Sequence, residues 1–315
     1  MNKRIIKNTD LEIAPINLGG NVFGWTLDEQ QSFNILDKFA GAGFNFIDTA
    51  DMYSFWIENG KGGESETIIG KWFKERNNRQ DIILATKVGG ATNQHGLDVS
   101  RKHILKSVDE SLQRLGTDYI DLYYTHYDDN ITPVEETLQA YDDIIKAGKV
   151  RFIAASNVSP ARLEESFEIS EAKGLHKYVA LQPHYNLLER AHFENDYAPL
   201  VEQYDLSVFP YWSLASGFLT GKYRTESDFS KSPRGNDAGK YLNEKGLNVL
   251  SALDKVAEKH RTQQSTVALA WLLANPLVTA PIVSATSDRQ LQTIIDAPTL
   301  VLDADDIALL NEAGK

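Results

Sequence analysis

Residues 45–53 read Asn45-Phe46-Ile47-Asp48-Thr49-Ala50-Asp51-Met52-Tyr53, and their reading decides the fold. The stretch starts apolar, as a buried strand does, and ends polar, as the loop leaving a strand does. Asp48 closes the apolar run, at the point where a barrel strand emptying into its loop presents a reactive group. Tyr53 follows on that loop, close enough to share a site with Asp48. Two later runs end alike: Ile82-Ile83-Leu84-Ala85-Thr86 leads into Lys87, and Tyr119-Ile120-Asp121-Leu122-Tyr123-Tyr124-Thr125 leads into His126. An Asp, a Tyr, a Lys and a His thus stand at or just past the ends of different strands.

Outward from this stretch, strand-like and helix-like runs alternate. Residues 4–13, with Asn8-Thr9-Asp10 at the bend, fit a small hairpin before the main fold. Strands are expected at 16–18, 45–48, 82–86, 119–125, 150–155, 178–182, 207–211 and 279–283. Helical periodicity fills 28–42, 64–74, 101–115, 133–147, 160–173, 242–260 and 265–274, with further helices near 288–296 and 303–313. Ser100 reads as an N-cap, Thr132 as the cap before Pro133, and Gly43, Gly116 and Gly174 as stops. No helix is expected between strands six and seven, and Tyr223 to Lys240 reads as one long irregular loop. Several strands are apolar on both parities, as parallel strands covered by helices are. Eight such units predict an α/β fold, a (β/α)₈ TIM barrel with an N-terminal β-hairpin and extra C-terminal helices, in a single domain over 1–315. A doubly wound sheet is the competing architecture, but no Gly-x-Gly-x-x-Gly joins an early strand to a helix.

The bulk numbers exclude several function classes. The chain has 315 residues, 42% hydrophobic and 24% charged, enough for a large core. A net charge of −12 argues against a nucleic-acid partner, which would call for a basic stripe. With no cysteine at all, disulfides, thiolate metal sites and cysteine nucleophiles are absent. No segment is long and apolar enough to predict a signal peptide or a membrane span, so the expected location is cytoplasmic. No spacing of His184, His192 or the Asp128-Asp129 pair suggests a metal site. Nothing in the sequence marks an interface, which leaves the oligomeric state open.

The four polar groups make chemical sense together. A phenol has a pKa near 10 and is a poor acid at neutral pH. A buried ammonium beside it favours the phenolate, so Lys87 is expected to lower the Tyr53 value while Asp48 keeps Lys87 charged and in place. Tyr53 could then give a proton to an oxygen gathering negative charge, and His126 could hydrogen-bond the same oxygen and orient the substrate. Such a set protonates a carbonyl oxygen but holds no hydride, so a cofactor must bring one. Each residue alone has a plainer explanation: a turn-forming Asp, a solvated Lys, a packed Tyr, a core His.

The segments Phe46 to Tyr53, Ala85-Thr86-Lys87-Val88-Gly89, Asp121 to His126, Ala155-Ser156-Asn157, Leu181-Gln182-Pro183 and Tyr211 to Tyr223 together resemble the aldo-keto reductases, including their potassium-channel β-subunit branch. The resemblance runs in order along nearly the whole chain. It implies NADP(H)-dependent reduction of an aldehyde or ketone to an alcohol, with the tetrad Asp48, Tyr53, Lys87 and His126 and with Tyr53 as the acid. It implies that Ser156, Asn157 and Gln182 hold the nicotinamide carboxamide and that Tyr211 stacks on the ring. Leu214, Ser216, Gly217, Leu219 and Lys222 would line the pyrophosphate path, with Gly20, Asn21 and Val22 near the nicotinamide end and Asp48, Trp212 and Ser213 also contacting the cofactor. The 223–240 segment resembles a clamp over the dinucleotide, with Arg224 or Arg234 reaching a phosphate. The family's Pro-Gly after strand eight and its Glu-Asn pair on the next helix are here Val283-Ser284 and Thr293-Ile294. The polar cluster Ser284, Thr286, Ser287, Arg289 and Gln290 is the expected 2′-phosphate site. Trp25, Phe55 and Trp56, on loops at the same end, are expected to form an apolar substrate pocket with Tyr53 and His126. Two other readings stand beside carbonyl reduction. One is an NADPH-sensing regulatory barrel with little turnover; the other is a metal-dependent hydrolase using Asp48 and His126.

Overall fold

The computed structural model describes residues 2–315. The hairpin forms as expected: β1 (Arg4–Ile5) pairs antiparallel with β2 (Glu12–Ile13). Eight strands then follow, each parallel to its neighbour: β3 (Asn17–Gly19), β4 (Phe46–Asp48), β5 (Ile83–Val88), β6 (Ile120–Thr125), β7 (Val150–Ser156), β8 (Tyr178–Gln182), β9 (Ser207–Val208) and β10 (Ile282–Val283). They lie side by side in chain order, and β10 returns to pair with β3. The last gap is bridged by single backbone bonds: Thr279 N–H to Val208 O at 2.8 Å and Ile282 N–H to Pro210 O at 2.8 Å. The sheet curls into the (β/α)₈ fold.

Helices alternate with the strands: α1 (Glu29–Gly41), α2 (Glu64–Arg76), α3 (Arg101–Leu115), α4 (Val134–Lys146), α5 (Pro160–Lys173), α6 (Ala198–Gln203), α7 (Gly235–Ala238), α8 (Glu244–His260), α9 (Gln264–Ala274), α10 (Asp288–Asp296) and α11 (Ala304–Ala313). Among the described residues no helix is long and apolar enough to cross a membrane.

Strand parity sorts the core into two shells. Ile47, Leu84, Tyr123, Ile153, Leu181 and Val208 pack outward under the helices. Phe46, Ala85, Leu122, Tyr124, Ala154, Ala180, Phe209 and Ala280 fill the barrel interior together with Ile6, Leu11 and Ile13 of the hairpin segment. The hairpin therefore stoppers the end of the barrel at which the strands begin. Two residues further along each strand, the same inward parity brings up Asp48, Lys87, His126, Ser156, Gln182 and Tyr211. The period of the strand thus gathers the polar groups at the opposite end.

Several expectations are corrected. Lys87 lies inside β5, which runs on to Val88. The expected strands at 207–211 and 279–283 are shorter, each interrupted by a proline (Pro210, Pro281) that has no N–H for a ladder. Thr132 does not cap α4; its hydroxyl bonds the Asp129 carboxylate at 2.7 Å, and Pro133 stands at the cap. A π-helical turn, Phe193–Tyr197, runs into α6 where no helix is expected. The supposed irregular loop contains a 3₁₀ turn, Glu226–Lys231, followed by α7 and another 3₁₀ turn, Gly239–Tyr241.

Candidate active site

Lys87 is fully buried and its ammonium has three neighbours. It donates to Asp48 Oδ1, to Thr49 O at 2.8 Å and to Tyr53 Oη at 3.3 Å. The other Asp48 oxygen accepts from Gln182 Nε2 at 3.0 Å. The Tyr53 ring meets the His126 imidazole edge-on, centroids 5.8 Å apart. Asp48, Tyr53, Lys87 and His126 therefore share one cluster.

Electrostatics refine the picture. Burial alone would pull the Lys87 ammonium down, but Asp48 and Tyr53 outweigh it and leave its pKa above the ordinary lysine value. Burial lifts the Asp48 carboxyl above the usual range against the pull of Lys87 and Gln182. For Tyr53 the expected sign is reversed. Burial is the largest influence and raises the hydroxyl above the ordinary phenol value; Lys87 pulls it down and Asp48 adds to the rise. Tyr53 thus stays protonated at neutral pH, as a proton donor must. The benefit of Lys87 falls on the phenolate left after transfer. His126 is pushed well below the ordinary imidazole range by burial and by the Lys87 charge, so it is neutral. Its Nδ1 is buried without a hydrogen-bond partner.

The residues expected to hold a carboxamide form a connected network. Ser156 Oγ donates to Gln182 O at 3.0 Å, and Asn157 Nδ2 donates to His126 O at 2.8 Å. Tyr211 Oη donates to Asn157 Oδ1 at 2.9 Å. Gly20 sits where an added Cβ would come within 2.9 Å of Ser65 Oγ and 3.2 Å of Asp48 O, so a side chain there would have to push these neighbours aside. Asn21 Oδ1 accepts from Ser284 Oγ at 2.6 Å, and Val22 is buried.

Between Tyr211 and Lys222 the backbone turns left-handed five times: Trp212 (φ 52°), Ala215 (φ 49°), Ser216 (φ 56°), Gly217 (φ 88°) and Gly221 (φ 77°). For the three non-glycine residues this costs roughly 1–3 kcal/mol each, and such strain gathers at ligand clamps. Lys222 Nζ lies 3.3 Å from where a Gly217 Cβ would be, so a cation hangs over a bare stretch of main chain. Ser213 Oγ donates to Pro210 O at 3.0 Å, and Leu219 is buried. This cradle suits a phosphate group.

Around the mouth, Trp56 touches Tyr53 (centroids 5.8 Å), Trp25 (5.6 Å) and Phe55 (5.5 Å), all steeply tilted. The Arg234 guanidinium lies 5.1 Å from the Trp25 ring centre, beside this group. Arg224 is instead turned to Asp254 at 2.8 Å and to Gly221 O, away from the cluster. Ser287 caps α10, while Thr286 N–H and Oγ both donate to Gln290 Oε1 at 2.8 and 3.0 Å. Arg289 is exposed on the same turn. Two neighbours escape sequence reading. Tyr127 lies against His126 with the rings tilted by 32° and centroids 4.7 Å apart, and His184 stacks on Tyr211 at 5.3 Å. His184 follows Gln182 by two residues, so strand parity could have pointed to it.

Comparison with known proteins bears on the chain as a whole. The family model described as the aldo/keto reductase family matches residues 15–315. A Bacillus subtilis protein named uncharacterized oxidoreductase YrpG is 33% identical, covering 96% of this chain and 93% of its own. Aldo-keto reductase YhdN, also of Bacillus subtilis, is 34% identical over 96% and 90% of the two chains. A rice protein named probable voltage-gated potassium channel subunit beta is 31% identical over 92% and 89%.

Proposed function

The chain belongs to the aldo/keto reductase family, and from that premise we propose that it reduces aldehydes or ketones to alcohols with NADPH. The observation that carries this reading is the buried Lys87 ammonium, held by Asp48 and donating to Tyr53 Oη at 3.3 Å. The nicotinamide cofactor, when bound, supplies the hydride. Tyr53 delivers its hydroxyl proton to the carbonyl oxygen, and Lys87 stabilises the phenolate that remains. Neutral His126 donates a hydrogen bond to the same oxygen and fixes the carbonyl's direction. Ser156, Asn157 and Gln182 hold the carboxamide, and Tyr211 supports the ring. Trp212 to Leu219 with Lys222 and Arg234 cradle the pyrophosphate; Gly20, Asn21 and Val22 leave room at the reacting end. Ser284, Thr286, Ser287, Arg289 and Gln290 take the 2′-phosphate. Trp25, Phe55 and Trp56 wall the substrate pocket, and residues 1–315 act as one domain in the cytoplasm.

Tyr53→Phe keeps the ring and removes the proton. It is expected to lower kcat by about 10²- to 10⁴-fold while NADPH still binds with near-parental affinity. Full turnover in that variant would remove Tyr53 as the acid. The relatives named as channel β-subunits favour a second reading, a barrel that binds NADPH and turns over slowly. Steady NADPH oxidation with simple aldehydes supports the reductase; a single slow turnover of bound cofactor supports the sensor.

A further inference from the structure

His184 lies against one face of the Tyr211 ring, centroids 5.3 Å apart and planes 18° from parallel. The stack is held firmly. Tyr211 N–H bonds Pro183 O at 2.9 Å, so the two residues ride on paired backbone. Trp212 closes on the imidazole edge-on at 4.9 Å. Asn186 Nδ2 reaches His184 Nε2 at 3.4 Å and Trp212 O at 3.0 Å, pinning both. From Tyr211 the contact continues through Asn157 to the His126 carbonyl. Among the described residues His184 is the titratable side chain stacked on the Tyr211 ring, and the tetrad chemistry makes no use of it.

We propose that His184 is a positioning residue whose charge, felt through Tyr211, sets how strongly the site distinguishes oxidised from reduced nicotinamide cofactor. This rests on the reading above, in which nicotinamide lies on Tyr211. The oxidised ring carries a positive charge and the reduced ring none. A neutral His184 leaves the Tyr211 face available to a cationic ring. An imidazolium behind Tyr211 draws on the same π-cloud and repels a second cation across it. Protonation therefore weakens the oxidised form and spares the reduced one. Burial, the main influence, lowers the proton affinity of His184; Glu189 raises it, and Lys240 and His192 lower it further. Glu189 and Lys240 face each other at 3.6 Å, and Lys240 also lies 5.2 Å from the Trp212 ring centre. His184 is accordingly neutral at pH 7 and takes up its charge only at a lower pH than an ordinary imidazole does. By linkage, the oxidised cofactor lowers the His184 proton affinity by the same factor.

The test is the ratio of Kd for NADP⁺ to Kd for NADPH, by fluorescence titration of the full-length protein from pH 8 to pH 5. The 2′-phosphate titrates in both cofactors and largely cancels from the ratio. In the parent the ratio is expected to rise toward pH 5 by roughly threefold to tenfold, the size of one screened charge–charge interaction. In His184→Phe, which keeps the stack, and in His184→Gln, the ratio stays flat. Lys240→Gln moves the rise to higher pH. A flat ratio in the parent, or the same rise in both His184 variants, overturns the proposal while leaving the reductase reading intact. Failure of either cofactor to bind at any pH overturns both.

Discussion

At the scale of single residues, the decisive fact is that a lysine with no exposure keeps its charge because acceptors surround it. Removing that charge strands Asp48, leaving a buried carboxylate with only Gln182 to bond it. Lys87→Met is expected to cost about 3–5 kcal/mol in urea unfolding, the usual size for breaking a buried ion pair. Adding Asp48→Asn should recover much of the loss, because no charge is then left unpaired. A single variant as stable as the parent would mean that Asp48 loses nothing with its partner. The sequence shows Asp48, Lys87 and His126 because each closes an apolar strand-like run, whereas Gln182 and Tyr211 come only from the family resemblance; the shared inward parity of all five is seen in the structure. The sequence does not show the sign of the Tyr53 shift. That sign depends on how deeply the loop buries the hydroxyl, and a loop carries no periodicity from which to read depth.

Among the elements, helices were the most legible, since their ends are written in local chemistry. Asp28 accepts from Gln31 N–H at 2.8 Å and Gln31 answers at 3.0 Å, closing a capping box before α1. Ser100 caps α3, and Gly116 and Gly174 end their helices in left-handed geometry. The turn at 193–197 was illegible because its π geometry follows neither the 3.6 nor the 2.0 period. A cap also sets an acid limit on the fold. Burial would raise the Asp306 carboxyl, but Lys259, His260 and the Asp303 N–H outweigh it and hold it at about 2. The folded value lies below the unfolded one, so the stabilisation is complete above about pH 5 and fades as pH falls from about 4 toward 2. Asp306→Asn should be less stable than the parent at pH 7, and the gap should close in acid. Urea midpoints at pH 7, 4 and 2.5 check this; a gap independent of pH would assign the effect to packing.

For the molecule as a whole, the hairpin does more than precede the barrel. Ile6, Leu11 and Ile13 complete the interior core, and Arg4 donates to Val278 O at 2.8 Å and Thr279 O at 2.9 Å, near the seam where the sheet closes. Leu11→Ala is expected to cost about 2–5 kcal/mol, with unchanged kinetics in the fraction that stays folded. Thermal and urea unfolding beside an activity assay separate the two, and a variant within half a kcal/mol (about the scatter of surface substitutions) would show that the stopper adds little. With that end corked, the polar cluster around Tyr53 can be approached only from the opposite end of the barrel. If Tyr53 acts as proposed, reactant and product would share one doorway, and a slow departure would hold up the next arrival.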